Sequence, residues 1–168
     1  INGLDFSKVF HLPAMPADVS RKHNDVQDHG LTHALDNKLV AMAKPALEEG
    51  KKVVLDVAIS NTNRTVGTML SNQIATRFGH AGLPDDSIHI NFNGTSGQSF
   101  AAFLAKGITF ELSGEGNDYV GKGLCGGRII IKPPVAFGGL AHENIIVGNT
   151  VMYGATTGES YFRGVAGE

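Results

Sequence analysis

Glycines between residues 121 and 127 have the spacing of a possible anion-binding loop. Gly121-x-Gly123 followed by Gly126-Gly127 would let backbone amides approach a phosphate. A dinucleotide fingerprint also needs a helix after the glycines and an acidic residue about twenty positions on. A β-rich run follows these glycines instead. We therefore interpret them as corner residues of a repeating structure.

Histidines and the single cysteine are the other residues with chemical potential. His23, His29 and His33 are close in sequence, but no Glu lies between the last two in the zinc-peptidase position. We interpret them as solvated or capping residues. One cysteine, Cys125, excludes an internal disulfide framework and a cluster of several thiolates, and a packed thiol is favoured over a nucleophile. No catalytic, cofactor-binding or metal-binding residue is therefore assigned.

Three charged residues, Asp118, Lys122 and Arg128, lie within the best-defined repeat. They could form a surface that docks on another domain. The favoured alternative is a salt bridge that holds stacked corners together, with Asp118 accepting backbone N–H groups at a turn. Arg64 and Gln98 occupy equivalent repeat positions, which is compatible with a side-chain ladder along one corner.

Composition limits the function classes. The chain has 14 Lys and Arg against 16 Asp and Glu, and a net charge of -2 gives no electrostatic footprint for nucleic acid or anionic lipid. No run of eighteen apolar residues is present, so no membrane span is expected. Cysteine usage indicates a reducing, cytoplasmic setting. The missing initial Met and the absence of a tail-like end indicate a chain trimmed at both sides.

The elements that would position these residues begin after a linker. Residues 1–30 hold Pro13 and Pro16 and show no sustained period, which predicts an extended linker segment. A helical pattern begins at Thr32, Pro45 would start a second short helix, and Gly50 would end it. Residues 53–59 predict a strand, and residues 70–78 a helix closed by Gly79.

A repeat follows, and its landmarks are glycines. Four similar starts, each a small or turn residue with an apolar residue three positions later, lie 34, 19 and 32 residues apart at Asn63, Gly97, Gly116 and Gly148. Ten residues after each of the last three comes another glycine, at Gly107, Gly126 and Gly158. A β-rich run follows each of these glycines.

A repeat of about 20 residues is long enough for one coil of three short strands with glycine corners. The prediction is a mainly β fold, a right-handed parallel β-helix (a single-stranded β-solenoid) spanning residues 31–168, with one or two short helices on its N-terminal side. Two apolar columns are expected within it. Phe100, Tyr119 and Val151 form the first, and Phe110, Ile129 and Tyr161 form the second. Gly167 would start a further coil, so the domain is expected to be truncated and able to self-associate through its open coil end.

Several of these segments together resemble one enzyme family. They are residues 94–100 (GTSGQSF), 117–129 (NDYVGKGLCGGRI), 143–150 (ENIIVGNT) and 153–164, with 27–37 and 63–71 (NRTVGTMLS) upstream. In this combination the chain resembles the C-terminal, β-helical domain of the glutamate synthase large (alpha) subunit. Cys125 stands where that family commonly has serine.

The resemblance implies a scaffold domain without catalytic machinery of its own. In that family the parent enzyme makes two L-glutamates from L-glutamine and 2-oxoglutarate, a nitrogen-assimilation reaction. An amidotransferase domain, a flavin domain with FMN and a three-iron cluster, and either a small NADPH-binding subunit or ferredoxin carry its chemistry. These domains and the small subunit are the partners expected for the chain.

Two alternatives remain open from the sequence. One is a β-helical subunit of a formylmethanofuran dehydrogenase-type complex, which carries related glycine-rich coils, although segments 27–37 and 63–71 argue against it. The other is a free-standing β-helix enzyme acting on polysaccharide. Such enzymes present clustered acidic or basic residues on one exposed sheet, and these repeats alternate small and apolar residues instead.

Overall fold

The structure is a computed structural model that describes residues 2–167. Residues 2–30 contain turns but no helix or strand, and their side chains are exposed. The assignment of residues 1–30 as a linker and 31–168 as a domain stays a prediction, and Glu168 lies outside the described residues. The helices are α1 (Asp36–Met42), α2 (Lys44–Glu49) and α3 (Thr68–Phe78), with 3-10 turns at Leu31–His33, Gly79–Ala81 and Ala141–Glu143; the strands are β1 (Val53–Ile59), β2 (Ile88–Ser96), β3 (Ile108–Gly116), β4 (Cys125–Lys132), β5 (Ile145–Val147), β6 (Thr157–Phe162) and β7 (Val165–Ala166).

All pairings between these strands are parallel and belong to one seven-stranded sheet. The main path runs β1-β2-β3-β4-β6, and β5 branches from β3 to pair with β7. The β2–β3 pair keeps one register from Ile88↔Ile108 to Ser96↔Gly116, a constant offset of 20 residues. One step across this part of the sheet therefore advances the chain by one repeat.

The predicted right-handed parallel β-helix is wrong. The structure is an α/β fold whose parallel sheet stays open, with β1 and β6 at the two ends of its main path. Each repeat was expected to supply three short strands, but β2 and β3 are single nine-residue strands, each followed by a turn segment. Helix α3 adds its own side chains to the core. A solenoid closed entirely by strands therefore does not form.

The core lies between the inward face of the sheet, α3 and the turn segments. Its centre is a cluster of three fully buried rings. Phe92 and Phe110 meet edge to face with 4.9 Å between their ring centroids, and the Phe100 and Phe110 centroids are 5.4 Å apart. Leu70 and Ile74 of α3 belong to the same buried cluster. Since strand side chains alternate between faces, His89, Asn91 and Glu111 lie on the other face of β2 and β3 and are partly exposed.

The local predictions for the first half of the chain hold with one correction. The strand is found at Val53–Ile59, α2 begins next to Pro45 and ends at the left-handed Gly50, and the helix predicted over 70–78 spans Thr68–Phe78. The helix expected from Thr32 begins only at Asp36, and Thr32 lies in a 3-10 turn. Among residues 2–167, no helix is long and apolar enough to cross a membrane.

The predicted apolar columns are each wrong at one residue. Tyr119 is 39% exposed, and Val120 is the buried residue, because Gly121 N–H donates to the Phe100 carbonyl at 2.9 Å and so sets Val120 beside Phe100. Ile129 does pair with Phe110, but its partner in β6 is Ser160, and Tyr161 is 56% exposed. A shift of one residue turns a strand side chain to the other face.

Replacement of Phe110 by Ala tests the ring cluster. We expect the free energy of unfolding to fall by about 3–5 kcal/mol, because the ring is fully buried and its loss leaves a cavity. Val54→Ala is the control, because the Val54 side chain is 59% exposed. It should change the free energy of unfolding by about 0.5 kcal/mol or less. Urea unfolding followed by circular dichroism measures both variants, and equal small effects would contradict the placement of Phe110 in the core.

Candidate functional site

The repeat places four turn segments on top of one another, and we call this stack the turn ladder (residues 65–67, 99–103, 119–123 and 150–154). Backbone hydrogen bonds join each segment to the next. Ser99 N–H donates to the Asp118 carbonyl at 2.8 Å and Phe103 N–H to the Lys122 carbonyl at 2.8 Å, while Ala101 N–H donates the other way, to the Val66 carbonyl at 2.9 Å. Alternate amides therefore point to opposite neighbouring segments.

Alternate residues of the turn ladder adopt the left-handed backbone conformation, which produces this alternation. The conformation recurs at every second residue; the residues are Thr65 and Gly67, then Ser99, Ala101 and Phe103, then Tyr119, Gly121 and Gly123, then Thr150, Met152 and Gly154. For a residue with a Cβ, the left-handed conformation costs about 1 kcal/mol or more. The hydrogen bonds between segments offset that strain, so the ladder persists only as a stack.

Two of the glycines singled out as a possible phosphate loop, Gly121 and Gly123, are part of this ladder, whereas Gly126 and Gly127 lie at the start of β4. Gly121 N–H donates to the Phe100 carbonyl at 2.9 Å, and Gly123 N–H donates to the Tyr153 carbonyl at 2.8 Å. A Cβ added at Gly123 would lie 2.5 Å from the Phe103 ring. These amides are used within the fold and face neighbouring chain segments, so they do not form an anion cradle.

The charged residues of the 117–128 repeat are distributed over three separate interactions. Asp118 Oδ1 accepts the Asn149 N–H at 2.8 Å, which confirms the predicted turn role of this carboxylate. Lys122 Nζ lies 5.7 Å from the centre of the Tyr119 ring. Arg128 Nε donates to Glu159 Oε2 at 2.6 Å, a salt bridge between β4 and β6. The predicted salt bridge between the charged residues of this repeat is therefore wrong: the acidic partner of Arg128 is Glu159, and the pair joins two strands and not stacked corners.

The chain segments that contain Arg64 and Gln98 lie side by side. The Gln98 carbonyl accepts the Thr65 N–H at 2.8 Å. A related pair is found further along the same corner, where Asn117 Nδ2 donates to Asn61 Oδ1 at 2.8 Å. The ladder between the Arg64 and Gln98 side chains themselves stays a prediction.

A cleft of about 330 Å³ lies where β3, β4 and β6 begin. The second set of repeat glycines lines it, because the chain segments approach too closely there for a side chain. A Cβ would lie 2.5 Å from Leu83 Cβ at Gly107, 2.9 Å from Lys106 Cβ at Gly126 and 2.6 Å from a carbonyl oxygen at Gly158. The remaining lining residues are Asp85, Asp86, Lys106, Ile108, Thr109, Gly127, Arg128, Thr157 and Glu159.

Charged groups beside this cleft are paired with one another. Asp86 forms an ion pair with Lys52 and approaches His89 Nδ1 at 2.7 Å through its other oxygen. Glu111 accepts from Lys132 Nζ at 2.5 Å. The hydrogen bond from Lys52 lowers the pKa of the Asp86 carboxyl to about 2, with further lowering from His89 and Thr109. The network joins three neighbouring strands to the turn before β2.

The residues considered as nucleophile or metal ligands are not assembled into a site. Cys125 is exposed, so the expected packed position is wrong. Its Sγ donates to the Phe103 carbonyl at 3.4 Å, and partial burial raises the pKa of the thiol, which disfavours the reactive thiolate. His23, His29 and His33 are exposed. Within the described part of the chain, no three His, Cys, Asp or Glu residues are grouped so that they could hold a metal ion.

Asp36 is a key polar residue that the sequence did not single out. It is 3% exposed, and its oxygens accept N–H groups from Gly67 at 2.8 Å, Met69 at 2.7 Å and Leu70 at 3.4 Å. It therefore caps the start of α3 from the first turn of α1. Burial raises the pKa of this carboxyl, and the three donors act against that rise. An acid within the apolar pattern of α1 was the only signal for it.

Comparisons with known proteins identify the chain's relatives. The GXGXG motif family matches residues 36–168. The chain is 49% identical over 156 residues to the NADH glutamate synthase of Saccharomyces cerevisiae, covering 93% of this chain and 7% of that protein. It is 42% identical over 166 residues to the NADPH glutamate synthase large chain of Bacillus subtilis, covering 98% and 11%. A ferredoxin-dependent glutamate synthase of Pyropia yezoensis is 44% identical over 88% of the chain and 10% of that protein.

These matches confirm the resemblance to glutamate synthase and set its extent. The chain spans about a tenth or less of the length of these relatives. The three relatives are named for different electron donors, so the similarity does not select one donor.

Gly121 and Gly154 make a matched pair for testing the turn ladder. Both have a φ near +67°, but a Cβ at Gly121 would lie 2.5 Å from Met152 Sδ, whereas one at Gly154 meets nothing within 4 Å. Gly154→Ala should cost about 1–2 kcal/mol from the left-handed backbone alone. Gly121→Ala should cost about 1–3 kcal/mol more because of crowding. Urea unfolding measures the difference, and equal costs would mean that the segments are not closely stacked.

The Asp86 ion pair predicts a pH dependence. The folded-state pKa of about 2 lies below the ordinary value of 3.8, so the stabilisation is present above pH 3.8 and is lost as the pH falls toward 2. Lys52→Met removes the main cause of the shift. We expect urea midpoints between pH 5 and pH 2.5 to fall less steeply in this variant than in the unmodified chain. Parallel pH profiles for the two proteins would contradict the assignment.

Proposed function

Because the chain belongs to the GXGXG motif family and is similar over most of its length to a domain of glutamate synthase large chains, we propose that it is a structural, interdomain scaffold of such an enzyme. In this proposal the chain packs against catalytic domains and performs no reaction itself. The alternative of a formylmethanofuran dehydrogenase-type subunit gains no support from the relatives, which are glutamate synthases.

The turn ladder is the observation that carries the scaffold role. The motif that could have bound a phosphate uses its amides to join chain segments, through bonds such as Gly121 N–H to Phe100 and Gly123 N–H to Tyr153. Asp118 is used in the same way, as the acceptor for Asn149 N–H. Residues that commonly carry chemistry therefore hold the fold together here.

An exposed apolar loop supports the interdomain part of the proposal. Residues 133–141, between β4 and the 3-10 turn at Ala141–Glu143, contain no charged side chain. Val135 is fully exposed at 103%, Leu140 is 57% exposed, and Ile145 just beyond the loop is 65% exposed. Several apolar side chains close together on a surface are typical of a protein contact.

A second exposed apolar segment lies near the N-terminus of the chain. Leu4, Val9, Phe10 and Leu12 of the N-terminal segment are each at least 62% exposed. Within the described residues, no other part of the chain buries these side chains. Burial of both segments against larger domains would remove this apolar area from water.

The parent reaction is proposed from the relatives and not from any site in this chain. It would transfer the amide nitrogen of L-glutamine to 2-oxoglutarate, giving L-glutamate in the cytoplasm. The chain's residues do not fit the family's cofactors. One cysteine, with its thiol directed at a carbonyl, cannot supply the ligands of a three-iron cluster. The amides of Gly121, Gly123 and Gly127, which could approach an FMN phosphate, already donate to carbonyl groups within the fold. FMN, the cluster, the amidotransferase domain and a small NADPH-binding subunit would all lie outside this chain.

The absence of catalysis can be tested directly. The purified 168-residue chain, incubated with L-glutamine, 2-oxoglutarate and a reductant, should release no L-glutamate above a blank without protein. Turnover that persists through further purification would overturn the scaffold proposal.

The interdomain contact is tested by Val135→Asp in two settings. In the isolated chain the side chain is fully exposed, so the melting temperature should change by about 2 °C or less. In a complete glutamate synthase carrying this segment, the same substitution should place a charge in an apolar contact and lower the melting temperature and activity of the enzyme. No effect in the complete enzyme would show that the loop is not an interdomain contact.

A further inference from the structure

The dipeptide Asn-Gly occurs twice in the chain, in two opposite settings. Asn2-Gly3 lies in an exposed turn, and a Cβ added at Gly3 would meet no atom within 4 Å. Asn93-Gly94 lies within β2, which pairs with β1 on one side and with β3 on the other. The same two residue types are therefore free in one place and enclosed by neighbouring backbone in the other.

An asparagine followed by glycine can lose its side-chain amide without an enzyme, because glycine has no Cβ to obstruct the reaction. The glycine nitrogen attacks Cγ of the asparagine, a succinimide ring closes, and the amide nitrogen leaves as ammonia with the proton of the glycine N–H. Water then opens the ring. Opening at the side-chain carbonyl gives aspartate, whereas opening at the main-chain carbonyl gives isoaspartate, in which the chain continues through Cβ and Cγ. One water is consumed and one ammonia is released.

Backbone hydrogen bonds of the sheet withhold the nitrogen that this reaction needs at Gly94. Ile88 N–H, at the start of β2, donates to the Gly107 carbonyl before β3 at 3.0 Å. Alternate residues of a strand direct their backbone groups to the same side, and the β2–β3 register is constant, so Gly94 N–H also points to β3. The Asn93 side chain is exposed, so the restraint on ring closure lies in the backbone.

Packing around Gly94 leaves no room for the backbone rotation that ring closure requires. A Cβ added at Gly94 would overlap the Ile59 carbonyl oxygen of β1, and a Cβ added at Gly114 of β3 would overlap the Gly94 carbonyl oxygen. Both neighbouring strands therefore hold this peptide in place. Since position 94 admits no side chain, the fold itself requires the residue that makes Asn93 reactive.

We propose that Asn93-Gly94 is a latent deamidation site, closed in the folded sheet and opened by unfolding, and that its conversion to isoaspartate prevents refolding. Isoaspartate adds one carbon to the backbone in the middle of β2. The residues that follow it, up to Ser96, can then no longer keep their register with β3, in which Ser96 pairs with Gly116. Ser96 is fully buried, so no exposed loop takes up the misfit.

Conversion at Asn2-Gly3 should have no such consequence. Both residues are exposed and lie outside the helices and strands. An added backbone carbon there disturbs no strand register and no buried contact. The chain thus contains its own control, with the same chemistry at a position where the fold does not depend on backbone length.

The first test compares the rates of conversion at the two dipeptides. The 168-residue chain is incubated at mildly alkaline pH, either folded or in guanidinium chloride, and both peptides are followed by mass spectrometry and by isoaspartyl methyltransferase labelling. In the folded chain, Asn93 should convert at least about 100-fold more slowly than Asn2, because its reaction waits for the sheet to open. In denaturant the two should convert at similar rates. Equal rates in the folded chain would overturn the proposal.

The second test follows refolding after the denaturant is diluted. The fraction that fails to recover the native circular dichroism should rise in parallel with isoaspartate at position 93. Asn93→Gln is the matched variant, because it keeps an exposed amide while its additional methylene disfavours ring closure. It should refold fully after the same incubation, whereas Asn2→Gln should lose refolding as the unmodified chain does.

Two results would contradict the consequence for refolding. One is a chain that carries isoaspartate at position 93 and still refolds as well as fresh protein. The other is an Asn93→Gln variant that loses refolding as fast as the unmodified chain, which would place the damage elsewhere.

The modification site does not depend on the scaffold role. Release of L-glutamate by the chain would overturn only the scaffold proposal, and fast conversion of Asn93 in the folded chain would overturn only the latent site.

Discussion

Direct stacking of one turn segment on the next is the constraint on which the rest of the structure depends. Backbone groups from neighbouring segments must come within hydrogen-bond distance, as Gly121 N–H does at the Phe100 carbonyl. More than half of the residues in each segment adopt a left-handed backbone conformation, which costs free energy wherever the residue has a Cβ. The strands that leave the segments are then parallel and 20 residues apart across β2 and β3, and the phenylalanine cluster fills the space beneath them.

The same constraint decides which residues remain for chemistry. Glycines are needed where a Cβ would collide with a neighbouring segment, as at Gly107 and Gly158, so their presence reflects packing and not ligand binding. Polar side chains likewise serve to hold chain segments in place. Asp36 anchors the start of α3, and Asp118 holds the segment that begins at Asn149. A buried carboxylate with several N–H donors is costly to disturb, which suits a rigid support.

What remains available is surface. The uncharged loop at 133–141 and the exposed N-terminal segment both present apolar side chains to water. Membership of the GXGXG motif family, with relatives about ten times longer, gives these surfaces a natural setting in a multidomain enzyme. In the proposed scaffold role, function would depend on contacts between these surfaces and other domains.

The sequence by itself determined the local elements, the repeat and the family. Gly50 and Gly79 ended helices as predicted, because a glycine adopts the backbone conformations found there at little cost. Only the tertiary structure decided the fold class, since a glycine-rich repeat specifies where the chain turns but not whether further strands or helix α3 cover the core. It also decided that Val120 and not Tyr119 is buried, because hydrogen bonds to neighbouring turn segments fix which residue faces the core. In β6 it decided that Ser160 and not Tyr161 pairs with Ile129, where one residue of offset reverses the face. The roles of Asp36 and Asp86 also came only from the tertiary structure. Gly67, which donates to Asp36, and Lys52, which donates to Asp86, each lie more than thirty residues away in sequence.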